Sequence, residues 1–295
     1  MTPPGPFALI PADLWPHDVE DLVRVGRPFD GGYVLPRSAL MAAQHLISVG
    51  INDDWSFEQA AMDLNPALRL TGVDATTTAW YVLRRGFRFR VEYLLAWVTG
   101  RRDKREFLKT RMPSVLAYRR FWAQHTLILK MLAPRASATT VCLEDLMKLP
   151  PISTQEAESR VFLKIDIEGA EYAMLDDIAS ASPRLTGLAM ELHDLPANRD
   201  RVIKFFAALR PHLVLVHLHV NTYDGVDPAT GLPKVVEATW LSRNLAAERL
   251  PATQVLPRPG LDQPSKYSHQ PVHLYPAETS TNAARAQEAS SRAAQ

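Results

Sequence analysis

Residues 160–175, RVFLKIDIEGAEYAML, contain the clearest strand–turn–helix pattern in the chain. The run VFLKI is short and apolar, which is typical of a strand buried on both faces. Asp166 follows this run, Gly169 marks a turn, and the residues after the turn have helical character. The pattern predicts one strand of a mostly parallel sheet and the start of the helix that crosses to the next strand.

Six other stretches predict strands of the same sheet. They are HLISVGI (45–51), ALRLTGVDA (67–75), FRFRVEYLL (87–95), LTGLAMELHDL (185–195), HLVLVHLHV (212–220) and KVVEATWLS (234–242). The last two are joined by NTYDGVDPATGLP, which is rich in turn residues and too short for a crossover helix. These two strands are therefore predicted to be antiparallel. The chain as a whole predicts an α/β fold with helices on both faces of the sheet.

The composition is that of a globular protein. The chain has 295 residues, of which 46% are hydrophobic and 22% are charged, and this excludes a fibrous or wholly disordered protein. The single Cys142 fits a reducing compartment. No apolar run reaches the roughly 18–20 residues of a membrane span, and residues 1–18 lack the features of a signal peptide. We therefore expect a cytoplasmic enzyme.

Basic residues are unevenly distributed along the chain. Residues 84–135 contain 14 basic and 3 acidic residues, whereas the remainder contains 19 basic and 29 acidic residues. Residues 97–135 predict a basic helical insert between the third and fourth strands, with Pro113 between two helices. We expect residues 1–276 to form one domain, and residues 277–295, which are rich in Ala, Ser and Thr, to form a disordered tail.

Polar residues follow the first two predicted strands. In open α/β sheets, ligands bind outside the carboxyl ends of the strands. The turn at residues 50–54, Gly-Ile-Asn-Asp-Asp, can bring backbone N–H groups close to a ligand. Asp74 ends the second strand, 24 residues after Gly50, and a carboxylate at this spacing can accept hydrogen bonds from ribose hydroxyls. The alternative role of Asp74 is to cap the following helix.

Polar residues also follow three later strands. Asp166 follows the fourth strand, Glu191 and His193 end the fifth, and His219 and Asn221 end the sixth. If these five side chains converge on one cleft, they can act as a general base toward a hydroxyl. They can equally bind a divalent metal ion through oxygen and imidazole ligands.

Structural roles are the alternative for several of these residues. His193, His217 and His219 can be packing residues with satisfied hydrogen bonds. His217 and His219 are predicted to point to one face of their strand, because side chains alternate along a strand. Glu168 and Glu171 can stabilise the start of the following helix, where negative charge is favourable.

Six segments of the chain occur in the order found in a known family. They are Phe-Asp-Gly-Gly-Tyr-Val-Leu (29–35), Ser-Val-Gly-Ile-Asn-Asp-Asp-Trp-Ser-Phe-Glu (48–58), Gly-Val-Asp-Ala-Thr (72–76), Phe-Leu-Lys-Ile-Asp-Ile-Glu-Gly-Ala-Glu-Tyr (162–172), Glu-Leu-His (191–193) and His-Leu-His-Val-Asn (217–221). Together they resemble the FkbM-type, S-adenosyl-L-methionine-dependent methyltransferases. The resemblance implies the Rossmann-like class I methyltransferase sheet, with seven strands in the order 3-2-1-4-5-7-6 and strand seven antiparallel.

The resemblance also implies a cofactor and an acceptor. S-adenosyl-L-methionine is expected over the end of the first strand, with Asp74 on its ribose. The implied cofactor-binding residues are Gly50, Asn52, Asp53, Asp54, Ser56, Phe57, Asp74, Ala75 and Asp166. Acceptors of the family are often hydroxyls of sugars, glycans or natural products, so O-methylation is the expected reaction.

We assign expected roles to the remaining candidates on this basis. Asp166 and either His193 or His219 activate the acceptor hydroxyl. Glu191, the fourth catalytic candidate, and Asn221 orient these residues or the acceptor. A divalent metal ion can instead lower the pKa of the acceptor. The expected substrate-binding residues are Asp30, Tyr33, Glu168, Asn221 and Arg119.

The basic insert suggests partners of its own. Arg101, Arg102, Arg105, Arg119 and Arg120 can bind phosphate or carboxylate groups of an anionic acceptor such as a nucleotide sugar or an anionic glycan. The insert can also be a solvated helical pair or a dimer surface. Peripheral contact with a membrane is a further alternative, because the aromatic residues Phe107, Tyr118, Phe121 and Trp122 accompany the charge. No segment resembles a base-reading module, so nucleic acid is not an expected partner.

The first motif departs from the pattern of many class I enzymes. Ser48 stands in place of an acidic residue, Gly50 is the only glycine, and Asn52 occupies a position where glycine is expected. Residues 94–97, Leu-Leu-Ala-Trp, stand where a small or acidic residue is expected near the adenine. These departures favour a second hypothesis, a non-catalytic scaffold that binds an anionic partner through the insert. A third hypothesis, a metal-dependent hydrolase, rests on Asp166, Glu191 and the histidines.

Overall fold

A computed structural model describes residues 6–11, 14–149, 160–246 and 256–276 of the protein. The predicted disordered tail at 277–295 lies outside these ranges, so the tail and the domain span 1–276 stay predictions. Among the described residues, no helix has the length and apolar character needed to cross a membrane.

The described chain forms thirteen strands and eight α-helices. The strands are β1 Phe7–Ile10, β2 Leu22–Val25, β3 Tyr33–Pro36, β4 His45–Val49, β5 Arg69–Val73, β6 Thr126–Ile128, β7 Met131–Leu132, β8 Thr140–Val141, β9 Val161–Ile165, β10 Leu185–Leu192, β11 Leu213–Val220, β12 Val236–Ser242 and β13 His273–Pro276. The helices are α1 Arg37–Ala42, α2 Ser56–Leu64, α3 Ala79–Val98, α4 Arg102–Arg111, α5 Val115–Trp122, α6 Leu143–Leu146, α7 Leu175–Ala181 and α8 Leu195–Leu209.

Seven of the strands form the central sheet, in the order β6-β5-β4-β9-β10-β12-β11. β12 is antiparallel to both of its neighbours, and the other pairs are parallel. When the sheet strands are numbered along the chain, this order is 3-2-1-4-5-7-6 with strand seven antiparallel. The prediction is confirmed for six of the seven strands.

The third strand was predicted in the wrong place. Residues 87–95 lie within α3, and the edge of the sheet is formed by β6. The stretch FRFRVEYLL alternates in residue type, but Val82, Gly86 and Phe89 recur at helical spacing and are buried on one face of α3. The side chain of Thr78 caps this helix by accepting a hydrogen bond from the N–H of Tyr81 at 3.2 Å.

The position of the basic insert is corrected for the same reason. The helices α3, α4 and α5 lie between β5 and β6, so they join the second and third strands of the sheet rather than the third and fourth. Pro113 separates α4 from α5, as the sequence predicts. The predicted insert at 97–135 therefore includes a sheet strand and omits most of α3.

Burial on both faces explains why short apolar runs form the central strands. All five residues of β4 and of β9 are buried. Ile47 and Leu163 face the core that contains Ile178 of α7 and Phe205 of α8. The alternate residue Phe162 faces a second core, which contains residues of α1 and α2. Each such side chain contributes about 1.5–3 kcal/mol when fully buried, so slipping a strand by one residue is costly.

Two smaller strand pairs flank the sheet. β2 and β3 form an antiparallel hairpin, and the predicted Gly-Gly turn precedes β3. Gly31 in this turn has φ +93°, a conformation that favours glycine. β1 pairs in parallel with β13, which joins the two ends of the described chain. The first residue of β3 is Tyr33, whose side chain is described with the candidate site below.

Candidate active site

A cleft of about 640 Å³ opens at the carboxyl ends of β4, β5, β9 and β10. This is the size of a pocket for a small ligand, and its position at the strand ends is the predicted one. Of the predicted site residues, those that line it are Asp30, Gly50, Asn52, Asp53, Asp54, Phe57, Asp74, Ala75, Asp166, Glu168, Glu191, His193 and Asn221. Ser56, Tyr33, His219 and Arg119 do not line it.

The turn after β4 packs against the turn after β9. Gly50 has φ +79° and Asn52 has φ +57°, so the chain turns sharply here. A Cβ atom on Gly50 would lie 1.5 Å from the carbonyl oxygen of Asp166. Lys164 also holds the turn after β4 in place, because its Nζ donates to the carbonyl oxygen of Gly50 at 2.6 Å. Glycine is therefore required at position 50 by contact with the protein's own backbone.

Asp74 lines the cleft, but both of its oxygens are used by neighbouring turns. Oδ2 accepts the N–H groups of Ile51 at 2.8 Å and Asn52 at 2.7 Å. Oδ1 accepts the N–H of Thr76 at 2.6 Å, its hydroxyl at 2.7 Å and the N–H of Thr77 at 3.0 Å. Burial raises the pKa of Asp74, but these hydrogen bonds outweigh it and the pKa is lowered.

A carboxylate offers about four lone-pair positions, and Asp74 already receives five donors. A ribose hydroxyl has to displace one of them. Asp74 thus has the alternative, capping role. It caps the turn after β4 and the turn after β5 at the same time.

The other acidic residues of the first motif are paired with arginines. Asp53 lies 2.9 Å from Nε of Arg85, and Asp54 lies 2.8 Å from Nε of Arg27. Ser56 points away from the cleft, since its Oγ accepts the N–H of Arg27 at 3.1 Å. The prediction that Ser56 lies in the cofactor site is wrong, because the side chain instead ties α2 to the turn after β2.

His193 is held by a buried carboxylate. Oε1 of Glu171 lies 3.1 Å from Nδ1 of His193 and accepts its backbone N–H at 2.7 Å, while Oε2 accepts the N–H of Gly169 at 2.8 Å. Nε2 of His193 lies 3.6 Å from Glu191 and 3.5 Å from Glu168. Burial lowers the pKa of His193, but the hydrogen bond and charge of Glu171 outweigh it, and the net shift is upward.

Asp166 and Glu191 face His193 across the floor of the cleft. The hydroxyl of Tyr33 donates to Oδ2 of Asp166 at 3.1 Å, and Nδ2 of Asn221 donates to Oε1 of Glu191 at 2.7 Å. Burial raises the pKa of Glu191 well above its usual range, and the nearby carboxylate of Asp166 adds to this shift. Tyr33 was expected to contact substrate, but it is buried and instead positions Asp166.

His219 is the predicted catalytic residue that the structure moves out of the cleft. Its Nε2 donates to the carbonyl oxygen of Gln263 at 2.8 Å, and its Nδ1 lies 3.5 Å from Asp262. His217 also contacts Asp262, at 2.8 Å, so both histidines share one face as the alternation predicts. The segment at 256–276 covers that face. The sequence offers no signal for this packing, because the contacting residues are more than 40 positions apart.

The predicted arginine clamp does not reach the cleft. Arg101, Arg102, Arg119 and Arg120 are exposed and Arg105 is partly exposed, and none of the five lines the cleft. Arg111 of α4, which the sequence did not single out, does line it, and its Nη2 lies 3.1 Å from Oδ2 of Asp30. The side chain that enters the site is decided by how α4 packs, which charge counting along the chain does not show.

Most of the aromatic residues expected to contact a membrane are buried. Tyr118, Phe121 and Trp122 pack into the core beside β5, and Phe107 is partly buried. The hydroxyl of Tyr118 donates to the carbonyl oxygen of Thr77 at 2.9 Å. These residues therefore attach α4 and α5 to the protein, and they offer no ground for membrane contact.

The cleft is strongly acidic. Nine carboxylates of the described residues line it, and the four lysines and arginines that line it all have partners. Arg27 pairs with Asp54, Arg111 pairs with Asp30, Lys164 donates to Gly50, and Lys130 donates to the carbonyl oxygen of Ser137 at 3.0 Å. Lys164 is a further residue that the sequence analysis missed, although a lysine within an apolar strand was the available signal.

Comparison with known proteins gives similarities among solved structures alone. No family model matches the chain, and no curated protein sequence matches it. Precorrin-6y C5,15-methyltransferase from Geobacter metallireducens is 12% identical over 70% of this chain and 85% of that protein, with a TM-score of 0.34. A putative sarcosine dimethylglycine methyltransferase from Galdieria sulphuraria is 7% identical over 70% and 80%, with a TM-score of 0.33.

A third similar structure is an O-methyltransferase of neocarzinostatin biosynthesis, solved with S-adenosylmethionine and a naphthoic acid. It is 11% identical over 70% of this chain and 51% of that protein, with a TM-score of 0.28. All three are named as methyltransferases. Similarity at this level does not define an activity, so an assignment has to rest on the cleft itself.

Proposed function

We propose that this protein is an S-adenosyl-L-methionine-dependent methyltransferase that methylates a hydroxyl of a sugar, glycan or natural product. The proposal rests on one observation, which is how the residues on the two sides of the cleft are arranged. The turns after β4 and β5 form one side of it, and Asp166, Glu191 and the Glu171-bound His193 form the other. A cofactor side and a polar reaction side thus face the same space.

The cleft residues fit the cofactor in size and charge. The volume is within the range for small-molecule pockets, and the excess of carboxylates complements a sulfonium and an ammonium group. Residues 50–54 and Phe57 would hold the cofactor, and Val73, Met131 and Leu132 supply apolar wall surface for its base. Asp74 would contribute only by exchanging one of its present hydrogen bonds. When bound, the cofactor supplies an electrophilic methyl group.

The reaction side of the cleft is suited to activate a hydroxyl. A hydroxyl becomes a good nucleophile when its proton is removed, and a positioned base is typically worth about 10²–10⁴ in rate. Nε2 of His193 faces the cleft because Nδ1 is bound to Glu171. Either this nitrogen takes the proton, or a cation bound beside it lowers the pKa of the hydroxyl. Both routes need the imidazole that Glu171 orients.

The charge of the cleft supports an acceptor without an anionic group. The four cations that line the cleft are engaged by carboxylates or carbonyl oxygens of the described chain. An added phosphate or carboxylate, like the methionine carboxylate of the cofactor itself, has to break one of these pairs in a cleft that nine acidic side chains line. A neutral polyhydroxylated acceptor avoids both costs, so we favour it over a nucleotide sugar.

Calorimetric titration with S-adenosyl-L-methionine and S-adenosylhomocysteine tests the proposal. Ala75 is exposed at the cleft, so Ala75→Trp fills the cofactor side without disturbing the core. We expect binding by the wild type and at least a tenfold loss in Ala75→Trp. Ala136→Trp, at an exposed site outside the cleft, is the matched control and binds as the wild type does. The absence of binding by the wild type contradicts the proposal.

One observation favours the second hypothesis, a non-catalytic scaffold. Both oxygens of Asp74 are used to hold the turns, which is a structural rather than a ligand-binding role. A scaffold is expected to bind neither compound, whether or not divalent metal ions are present. The same titration therefore separates the two functions.

A further inference from the structure

Three side chains at the floor of the cleft converge on a single point. One ligand atom each of Asp166, Glu191 and His193 lie within 4.8 Å of one another, and Nε2 of His193 is 3.6 Å from Oε2 of Glu191. Asp166 follows β9 and the other two end β10, so neighbouring strands bring them together. Ligands of one octahedral ion at about 2.1 Å are roughly 3–4 Å apart, which this spacing approaches.

Each of the three side chains is fixed from outside by a separate polar partner. Glu171 binds Nδ1 of His193, Asn221 binds Oε1 of Glu191, and the hydroxyl of Tyr33 binds Asp166. A histidine that ligates a metal characteristically uses its other ring nitrogen to bind a carboxylate in this way. One ligand atom of each residue lies within 4.8 Å of the other two, and three such acceptors attract a cation.

The nearby lysine does not replace a metal ion. Nζ of Lys164 forms a long ion pair with Oδ2 of Asp166 at 3.7 Å, and its hydrogen bond goes to the carbonyl oxygen of Gly50 at 2.6 Å. Its position is therefore set by the turn after β4. The charge of Lys164 also acts on Glu191, but no ion pair or hydrogen bond joins a lysine to Glu191 or His193 among the described residues.

We propose that Asp166, Glu191 and His193 form a binding site for one divalent cation. Two carboxylates and one imidazole are ligands that suit Mn²⁺ or Mg²⁺ with water completing the shell. The site stands on its own geometry, and its catalytic role rests on the proposed function. There the cation would bind the acceptor hydroxyl and lower its pKa, so that the proton would pass to water. The oxygen would then form a bond to the methyl carbon as the carbon–sulfur bond breaks and S-adenosylhomocysteine leaves.

Mn²⁺ binding to chelator-treated protein, followed by the loss of the free-ion paramagnetic resonance signal, tests the site. We expect one Mn²⁺ per chain in the wild type and at least a tenfold weaker affinity in Glu191→Gln. Glu144→Gln, at an exposed glutamate of α6, is the matched control and leaves the affinity unchanged. Because Glu191 is buried, His193→Gln is a second variant with a more exposed side chain, and it is expected to lose affinity likewise.

Glu171→Gln adds a separate readout, since loss of a residue that orients a ligand typically weakens metal affinity by about 10–100-fold. The site is disproved if the wild type binds no Mn²⁺, or if the three variants bind it as the wild type does. Mn²⁺ binding without cofactor binding overturns the proposed function and keeps the site. Cofactor binding without Mn²⁺ binding overturns the site alone.

A second inference concerns the outer face of α3. Its large apolar side chains are between 41% and 75% exposed; they are Trp80, Leu83, Phe87, Val91, Leu94, Leu95, Trp97 and Val98. Phe87 and Leu94 are seven positions apart, as are Val91 and Val98, so they share a stripe along the helix. The opposite face, which includes Val82 and Phe89, is buried in the protein. A continuous exposed apolar stripe of this kind marks an interaction surface.

Arginines border the stripe and identify its partner. Arg84 and Arg90 of α3 are exposed, as are Arg101 and Arg102 just beyond it, whereas the exposed Arg88 pairs with Glu92 at 3.0 Å. A second copy of the chain, packed symmetrically on this face, would bring these arginines against one another. An anionic bilayer instead accepts the aromatic side chains at the depth of its headgroups and pairs with the arginines.

We infer that α3 docks on the surface of an anionic membrane. Co-sedimentation with vesicles of phosphatidylcholine, with and without phosphatidylglycerol, tests this inference. We expect the wild type to sediment with anionic vesicles at low salt, and the double variant Phe87→Ser, Leu94→Ser to bind at least tenfold more weakly. The control is Met41→Ser, Leu129→Ser, which removes similarly exposed apolar side chains elsewhere.

The outcome also discriminates between occupants of the face. Failure of the wild type to sediment with anionic vesicles overturns membrane docking. A dimer in light scattering that the α3 variant converts to a monomer, without vesicle binding, shows that a second copy covers the face.

Discussion

The buried carboxylate of Glu171 holds both the ring and the backbone of His193. Oε1 lies 3.1 Å from Nδ1 and 2.7 Å from the backbone nitrogen of the same residue. Glu171 is completely buried, whereas 16% of the His193 side chain is exposed. The pair therefore directs Nε2 toward the cleft.

The neutral form of His193 is expected to carry its proton on Nδ1. A carboxylate beside Nδ1 stabilises that tautomer, whereas free imidazole favours a proton on Nε2. Long-range ¹H–¹⁵N correlation spectra of the ring report the tautomer directly. In Glu171→Gln the Nε2–H tautomer is expected to become substantially populated, and His269, an unrelated histidine, serves as the internal control. An Nε2–H tautomer in the wild type contradicts the role of Glu171.

Gly50→Ala is expected to destabilise the protein by more than about 3 kcal/mol. The added Cβ would lie 1.5 Å from the carbonyl oxygen of Asp166, in addition to the cost of φ +79° for a residue with a side chain. Gly231→Ala is the matched control, because Gly231 has φ +69° with no atom within 4 Å of the added Cβ. Its expected cost is about 1–2 kcal/mol. Urea unfolding measures both, and equal losses would contradict the overlap.

Asp74→Asn is expected to loosen the turn after β4 even without a ligand. The variant loses one of two acceptor oxygens, so backbone donors of Ile51 and Asn52 or of Thr76 lose their partner. The expected loss of unfolding free energy is about 1–3 kcal/mol. Hydrogen exchange at the amides of Ile51 and Asn52 locates the effect.

The control for this variant is Asp227→Asn, in an exposed turn where Asp227 accepts from Thr230. Because solvent can replace those bonds, its expected cost is smaller. An Asp74→Asn protein that is as stable as the wild type would contradict the structural role of these hydrogen bonds.

His45 is expected to make the protein less stable in mild acid. Burial lowers the pKa of His45 to about 4, and the positive charge of Arg69 adds to the shift. The unfolded chain, with a pKa of about 6.5, then binds the proton more tightly than the folded protein. The contribution to stability is complete above pH 6.5 and is lost progressively as the pH falls toward 4.

The effect is measured as the difference between wild type and His45→Gln in urea unfolding at pH 7.5 and pH 5. Gln can keep the hydrogen bond to Thr71, which His45 makes at 2.8 Å, but it does not titrate. The difference is expected to shift by about 1–2 kcal/mol in favour of the variant at pH 5, allowing for solvent screening. A constant difference would show that the pKa of His45 is the same in the folded and unfolded states, and would contradict the shift.

Local patterns in the sequence determined the sheet and the place of the cleft. Short apolar runs predict strands because both faces of a central strand are buried, as in VFLKI of β9. Parallel strands carry their polar endings to one edge, so the side chains after the fourth, fifth and sixth strands were predicted to converge there. Of these, Asp166, Glu191, His193 and Asn221 line the cleft, and His219 does not. The prediction of a strand at 87–95 was wrong because alternation over a few residues also fits one face of a helix.

Tertiary packing alone decided which polar side chains remain free to act. Asp74 has the expected position, yet turns separated from it by up to 23 residues take up its oxygens. His219 lies on a strand whose inner face is covered by residues 256–276, whereas His193 is oriented by Glu171 across 22 residues. Periodicity reports the direction of a side chain relative to its own strand or helix. The partner that occupies its hydrogen-bonding atoms comes from elsewhere in the chain, where no local pattern records it.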